Sequence, residues 1–333
     1  MAKDKVTEAV TIDDIRAAAR RLDGHARRTP MLSSPFLDEI SGRRVLVKAE
    51  PLQVTGSFKF RGGWSAVSQL PSDCAGVIAF SSGNHAQGVA MAAKMRGLPA
   101  VIIMPSDAPQ LKIRNTHALG AEVVLYARGK EDRDEIGDRL ARERGLELIK
   151  PFDDARVIAG QGTTGLEIAE QAAEAGVDQA DVIVCCGGGG LTAGIALALE
   201  AEAPGLRARP AEPERFDDVR RSLETGQIER NAAEGGSLCD AIMTPAPGKL
   251  TFPIMQRLSG PGLVVTDEEC LQAMAAAFLR LKLVLEPGGA AALAAALYHP
   301  GESEGDAVIA VASGGNVDPR VFQDALTRYA DSV

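Results

Sequence analysis

Four polar, glycine-rich turns carry residues able to do chemistry, and Lys59 is the one suited to forming a covalent bond. It lies in Thr55-Gly56-Ser57-Phe58-Lys59-Phe60-Arg61-Gly62-Gly63. Two bulky apolar neighbours, Phe58 and Phe60, can draw its ammonium out of water, which lowers the pKa and frees the amine to attack a carbonyl. A Schiff-base lysine requires this. Buried lysines are rare, so a solvent-facing lysine after a loop is the default for any single lysine. The other three turns argue against that default.

The second turn, Ser81-Ser82-Gly83-Asn84-His85, follows the apolar run Gly76-Val77-Ile78-Ala79-Phe80 and precedes Val89-Ala90-Met91-Ala92-Ala93. A strand-turn-helix of this kind aims backbone N–H groups and hydroxyls at an anion over the helix start, and a substrate carboxylate fits there. An ordinary Ser/Asn helix cap accounts for one or two of these residues but not for the unbroken run. The third turn is Gly187-Gly188-Gly189-Gly190, between Asp181-Val182-Ile183-Val184-Cys185-Cys186 and a helix from Leu191 to Ala201. Consecutive glycines let the backbone approach a phosphate while the helix offers its positive end. No Gly-Lys-Ser/Thr follows, which excludes a nucleoside-triphosphate loop. Gly188-x-Gly190-x-x-Ala193, with Glu212 about 20 residues on, satisfies a loose dinucleotide pattern, so a nicotinamide-dependent oxidoreductase stands as a rival. The fourth turn, Ser313-Gly314-Gly315-Asn316, ends the strand Ala307 to Ala312, where open α/β sheets bind ligands. A plain strand-ending turn explains it equally well.

In this order and at these separations, the four segments resemble the fold-type II pyridoxal phosphate enzymes, in particular the serine/threonine dehydratase and serine racemase family. The likeness runs from Arg28-Thr29-Pro30 to Asp318. It implies that Lys59 holds the cofactor aldehyde as a Schiff base, Phe58 packs beside the ring and Asn84 bonds the phenolic oxygen. It also implies that Gly187, Gly188, Gly189 and Gly190 hold the phosphate and Ser313 meets the pyridine nitrogen. Ser81, Ser82, Gly83 and His85 would bind the substrate. The reaction implied is loss of water from serine or threonine to give a 2-oxo acid and ammonia. A neutral Ser313 would not stabilise a protonated ring, which suits elimination over transamination.

Serine racemase and 3-hydroxyaspartate dehydratase stand as alternatives on the same scaffold. Threonine dehydratases generally resemble Ser-Ala-Gly-Asn-His at the second turn, whereas Ser82 here matches racemases and hydroxyaspartate dehydratases. In racemases that hydroxyl reprotonates the opposite face of the substrate; carboxylate binding alone is an equally good role for it. Arg133 aligns with an arginine that relatives place near a second carboxylate, although a charge-rich helix such as Glu131-Asp132-Arg133-Asp134 is more often a solvated face. Phe152 departs from the polar residue of animal serine racemases, against racemisation. Glu212-Pro213-Glu214-Arg215-Phe216-Asp217-Asp218 resembles the family's cation loop, with Glu212, Asp218 and the Phe216 carbonyl as ligands. Oxygen-only ligation suits magnesium or calcium, and acidic residues at a helix start also suit the helix dipole alone. Cys239-Asp240-Ala241-Ile242 lacks the glycine that relatives often carry after the aspartate. The resemblance further implies a homodimer. With the chain ending at Val333, it implies no isoleucine-responsive regulatory domain.

These turns must be positioned by alternating elements. Helix is expected from Thr11 to Leu22, where Thr11-x-x-Asp14 forms a capping box. Strands are expected near 76–80, 100–104 and 122–126, with helices over 86–95, 109–119 and 130–144. A second series follows, with helices at 163–175 and 191–201 and strands at 181–186 and 207–211. A strand is then expected at 262–265, before a helix capped by Thr266-x-x-Glu269. Along that helix Leu271, Met274, Phe278 and Leu281 read as a core-facing stripe. The stretch 226–258 reads as irregular. The fold class is α/β, with two doubly wound open-sheet domains of the tryptophan synthase beta-like kind. A large cofactor domain is expected over 1–75 and 154–333, and by resemblance a small mobile domain over 76–153.

Composition bounds the rest. The chain has 333 residues, 45% of them hydrophobic, enough for a sizeable core, and a net charge of -9 that argues against nucleic acid as a partner. Five cysteines without a C-x-x-C pair indicate neither a zinc cage nor a disulfide framework. The start of the chain lacks a signal-peptide core, and no apolar run spans a membrane. A small hydroxyamino acid as substrate and a cytoplasmic location are expected.

Overall fold

Near-continuous apolar runs such as Ala307-Val308-Ile309-Ala310-Val311-Ala312 make strands that must be covered on both faces, the mark of a parallel sheet. The computed structural model describes residues 9–333 apart from 82, 109, 128 and 234. Its strands are β1 (Met31–Ser33), β2 (Arg44–Ala49), β3 (Val77–Phe80), β4 (Ala100–Pro105), β5 (Glu122–Tyr126), β6 (Glu147–Leu148), β7 (Ala180–Cys185), β8 (Leu206–Pro213), β9 (Leu263–Val265) and β10 (Ala307–Ala312). They form a six-stranded sheet in the order β1-β2-β10-β7-β8-β9 and a four-stranded sheet in the order β5-β4-β3-β6. Among these strands only the β1/β2 pairing is antiparallel, and outside them Ser57 and Gly314 form an isolated antiparallel bridge. The fold is thus α/β with two open sheets.

The topology places the expected turns. β7 and β10 are neighbours, with Val311 opposite Val184, so the tetraglycine turn and the Ser313 turn leave the sheet side by side. β3 lies inside the smaller sheet and ends at Phe80, from which the Ser81 turn enters the helix Asn84–Arg96. Three of the four turns therefore sit at carboxyl ends of parallel strands.

The Lys59 turn does not, and here the structure differs from a lysine in a loop. Lys59 opens the helix Lys59–Val67. That helix crosses Asn84–Arg96 backbone to backbone: a Cβ at Gly88 would lie 2.9 Å from the Lys59 carbonyl carbon, and one at Gly63 would lie 3.0 Å from that of Gly88. The two glycines bring both helix starts to one place.

Both capping boxes form, at Thr11/Asp14 and at Thr266/Glu269. The helix expected at 163–175 begins earlier and runs Ala155–Glu174, capped by Asp154. Gly160, Gly162 and Gly165 disguise its first half, and they serve packing: a Cβ at Gly162 would lie 2.9 Å from Gly194 O on the helix Gly190–Glu202. The irregular stretch ends in a helix, Thr251–Leu258. The Leu271 stripe holds only in part. Leu271 and Met274 are buried, but the helix widens to a π turn over Ala277–Leu281, which leaves Phe278 and Leu281 half-buried. The five cysteines are free. Among the described residues no helix is long and apolar enough to cross a membrane.

Candidate functional site

The carboxyl ends of β3, β7 and β10 and the start of the Lys59 helix converge on a cavity of about 460 Å³. Phe58, Lys59, Ser81, Asn84 and His85 line one side, Gly187 to Gly190 and Ser313 another, and Arg133 also reaches it. Gly83 lies behind this wall as the N-cap of Asn84–Arg96, and its N–H donates to Ser81 Oγ at 3.1 Å. Ser82 lies outside the described residues.

A backbone ladder joins the first and fourth turns. Phe58 N donates to Ser313 O at 3.1 Å, and Gly315 N donates to Gly56 O at 2.9 Å. Lys59 thereby enters the cavity beside Ser313. Its Nζ donates to Pro151 O at 2.9 Å and lies 5.0 Å from the Phe58 ring centroid. Burial lowers the amine to about 8, against an opposing pull from Glu286. The neutral nucleophile is therefore well populated near physiological pH.

Side chains continue the ladder. Asn316 Nδ2 donates to Thr55 O at 2.9 Å and to Asn84 Oδ1 at 2.7 Å, which fixes the Asn84 amide so that its Nδ2 donates to Glu286 Oε1 at 2.5 Å. His85 is buried with Nε2 against Ile149 O at 2.8 Å; burial, and then Lys59, push it down to about 3, so it enters the wall uncharged.

At the other end, Gly189 takes φ +89°, which a side chain would resist, and caps the helix Gly190–Glu202. Gly188 O accepts from Thr251 Oγ1 at 2.6 Å and from Gly248 N at 3.1 Å, which pins the loop. Phe152 packs across it, and a Cβ at Gly190 would lie 3.0 Å from Phe152 Cβ. The hydroxyls of Thr192 and Thr244 are covered and without partners. A glycine cradle at a helix start with unspent hydroxyls fits a phosphate, and the amine at the opposite end fits an aldehyde.

The sequence matches the pyridoxal-phosphate dependent enzymes over residues 22–314. The chain belongs to this family. It is 42% identical over 315 residues to L-threo-3-hydroxyaspartate ammonia-lyase of Pseudomonas sp, across 94% of this chain and 97% of that protein. Among solved structures it is similar to a threonine deaminase of T.th., at TM-score 0.88 and 44% identity over 92% of this chain and 99% of that one. It is also similar to maize serine racemase, at TM-score 0.88 and 35% identity over 96% and 98% of the two chains. The fold is therefore that of the fold-type II pyridoxal phosphate enzymes. The nicotinamide reading fails: besides the family match, both Glu212 oxygens are engaged by backbone, accepting from Val219 N at 2.9 Å and Arg220 N at 2.7 Å.

In this pyridoxal phosphate enzyme Arg133 opens the helix Arg133–Arg144. Its side chain is 56% exposed, with Nε 3.4 Å from Asp134 Oδ1, so it is a solvated residue that also reaches the cavity. Glu212 and Asp218 are fully buried, and Phe216 is buried in the turn between them. Burial, reinforced by Asp218, raises the Glu212 carboxyl well above its usual range, and burial raises that of Asp218 to about 7. Asp218 Oδ1 accepts from Asn231 Nδ2 at 2.5 Å, while Oδ2 is covered and without a partner. No group of three or more His, Cys, Asp or Glu gathers for a metal among the described residues. The orphan oxygen and strained carboxyl pair nevertheless fit a hard cation that also accepts a backbone carbonyl.

Sequence reasoning missed Glu286 and Cys185. Glu286 lies in Glu286-Pro287-Gly288-Gly289, a glycine pair at a helix start much like the four turns already singled out. Cys185 lines the cavity, but burial pushes its thiol up to about 11, which makes it a packing residue and not a nucleophile.

Proposed function

We propose that this enzyme removes water from a small β-hydroxy amino acid, serine or threonine in the first instance, to give a 2-oxo acid and ammonia. One observation carries this reading: Lys59, with its lowered amine, and the neutral Ser313 hydroxyl share one cavity with the tetraglycine cradle. Pyridoxal phosphate, when bound, supplies an electron sink that acidifies the proton on the substrate's α-carbon. Lys59 Nζ holds the aldehyde and then, released, takes that proton as general base. Gly187, Gly188, Gly189 and Gly190 hold the phosphate, Phe58 packs against the ring, Asn84 faces the phenolic oxygen and Ser313 the pyridine nitrogen. Ser81, Ser82, Gly83 and His85 receive the substrate at the helix start.

A second reading, 3-hydroxyaspartate as substrate, is favoured by Arg133, which lines the cavity with only a neighbouring aspartate as its ion pair among the described residues. A bidentate pair with a β-carboxylate suits it. Residues 76–153 act as a small mobile domain that closes over the substrate against 1–75 and 154–333. Glu212, Asp218 and the Phe216 carbonyl hold magnesium or calcium. The enzyme works as a homodimer in the cytoplasm.

Product analysis with L-serine, D-serine, L-threonine and 3-hydroxyaspartate tests the assignment. Ammonia with 2-oxo acid from serine or threonine supports elimination. Preference for 3-hydroxyaspartate, lost about 10- to 100-fold in Arg133→Ala, selects the second reading. Inverted serine without ammonia overturns both in favour of racemisation.

A further inference from the structure

Glu286 is a carboxylic acid only 3% exposed, and it lies not in the cavity lining but behind Asn84, which does line it. It occupies the N-cap position of the helix Pro287–Tyr298, where an acidic side chain ordinarily turns back to the free N–H groups, yet it makes no cap hydrogen bond. The carboxylate instead reaches Asn84 Nδ2 at 2.5 Å, on a helix start from the other sheet. Its backbone is held in place, since Glu286 N donates to Gly314 O at 3.1 Å, one residue beyond Ser313. Gly314 has no Cβ, and one there would collide with the Glu286 carboxylate. The chain thus forgoes a cap and keeps a glycine to aim a charge at an amide.

An amide nitrogen has two hydrogens. Asn316 fixes Asn84 from its oxygen side, so with one hydrogen given to Glu286 the second is committed in direction as well. We propose that Glu286 is a positioning residue: ionised, it orients the Asn84 amide toward the cofactor ring and lends negative charge to the nitrogen of Lys59. The charges that face Glu286 are Lys59, Lys112 and Asp240; burial raises its carboxyl to about 7, so the negative charge is present above neutrality and lost below it. This inference rests on the placement of Asn84 beside the ring proposed above.

The test is the absorbance of the bound cofactor from pH 6 to 10 in the holoenzyme. A carboxylate favours the protonated nitrogen, so Glu286→Gln lowers the spectral midpoint by about one pH unit while Glu286→Asp, which keeps the charge, stays near the parent. A midpoint unmoved or raised in Glu286→Gln overturns the proposal. Cofactor affinity gives an independent check. Glu286→Gln and Asn84→Ala each weaken retention of pyridoxal phosphate, and the double variant is no weaker than Asn84→Ala alone, since the two act as one unit. Fully additive losses overturn the coupling. Full retention in Asn84→Ala overturns the placement of Asn84 and this inference with it. Loss in Asn84→Ala with no spectral shift in Glu286→Gln overturns this inference alone.

Discussion

Lys48 and Lys59 both keep their amines out of bulk water, eleven positions apart in the chain, and their surroundings give them opposite fates. Lys48, fully buried in β2, donates to Glu167 Oε2 at 2.5 Å, Gln171 Oε1 at 2.9 Å and Thr29 O at 2.7 Å. All three ammonium hydrogens have acceptors. Arg61 shares Glu167, at 2.7 Å, and binds Glu50 at 2.8 Å, so two cations and two anions close a network behind the helix that Lys59 opens. Lys59 has one neutral acceptor, Pro151 O, and no carboxylate in hydrogen-bonding contact among the described residues. Burial lowers the amine in both, but beside Lys48 the Glu167 and Glu50 carboxylates pull strongly back, whereas Lys59 has only the distant pull of Glu286. A lysine surrounded by acceptors serves as structure. One with a single carbonyl keeps an amine that is free to react, as the role proposed for Lys59 requires.

The largest expected effect breaks the reactive member of the pair. Lys59→Ala lowers turnover by at least about 1,000-fold and abolishes the visible band of the bound cofactor, with the circular dichroism unchanged. Retention of the band would reverse the assignment of roles. The structural member comes next. Lys48→Met leaves Glu167 and Arg61 with an unbalanced buried charge and costs about 3–5 kcal/mol in denaturant unfolding. The protein that remains folded keeps the visible band. A variant as stable as the parent would mean that the network does not support the Lys59 helix.

The two lysines also show what the amino-acid sequence discloses. Phe58-Lys59-Phe60 and the tetraglycine run mark the site because their signals are local: apolar neighbours that desolvate an amine, and glycines that admit a phosphate. The parallel sheets were legible for the same reason, as apolar runs separated by turns. Lys48 carries no such mark, since its partner Glu167 lies 119 positions away. Glu286 is hidden for the same reason, with its contact at Asn84 202 positions away. Gly160, Gly162 and Gly165 read as breaks in a helix, although they exist so that a second helix can come close. Gly63 reads as part of the lysine turn and Gly88 as an interior residue of an expected helix, and neither shows that together they permit a helix crossing. Arg133 reads as surface or as site because its position is both, a largely exposed side chain that also lines the cavity.

The smallest effect sharpens the comparison through pH. In cofactor-free protein the amine of Lys59 sits at about 8 against an ordinary 10.5. The sign follows from burial, which disfavours the ammonium and so releases its proton at lower pH. The neutral fraction then grows about fivefold between pH 7 and 8 and levels off above pH 9, and the rate of recombination with pyridoxal phosphate follows it. An ordinary lysine would instead gain about tenfold per unit up to pH 10, and that result would sink the assignment. Stability carries the same sign. Between pH 8 and 10.5 the unfolded chain still holds a proton that the folded one has released, so Lys59 makes the cofactor-free protein more stable as pH rises through that window. Lys59→Met removes the part of this slope that begins near pH 8, whereas Lys48→Met leaves that part in place and removes only Lys48's own contribution of the same sign, so urea unfolding at pH 8 and pH 10 tells the two amines apart without any turnover being measured.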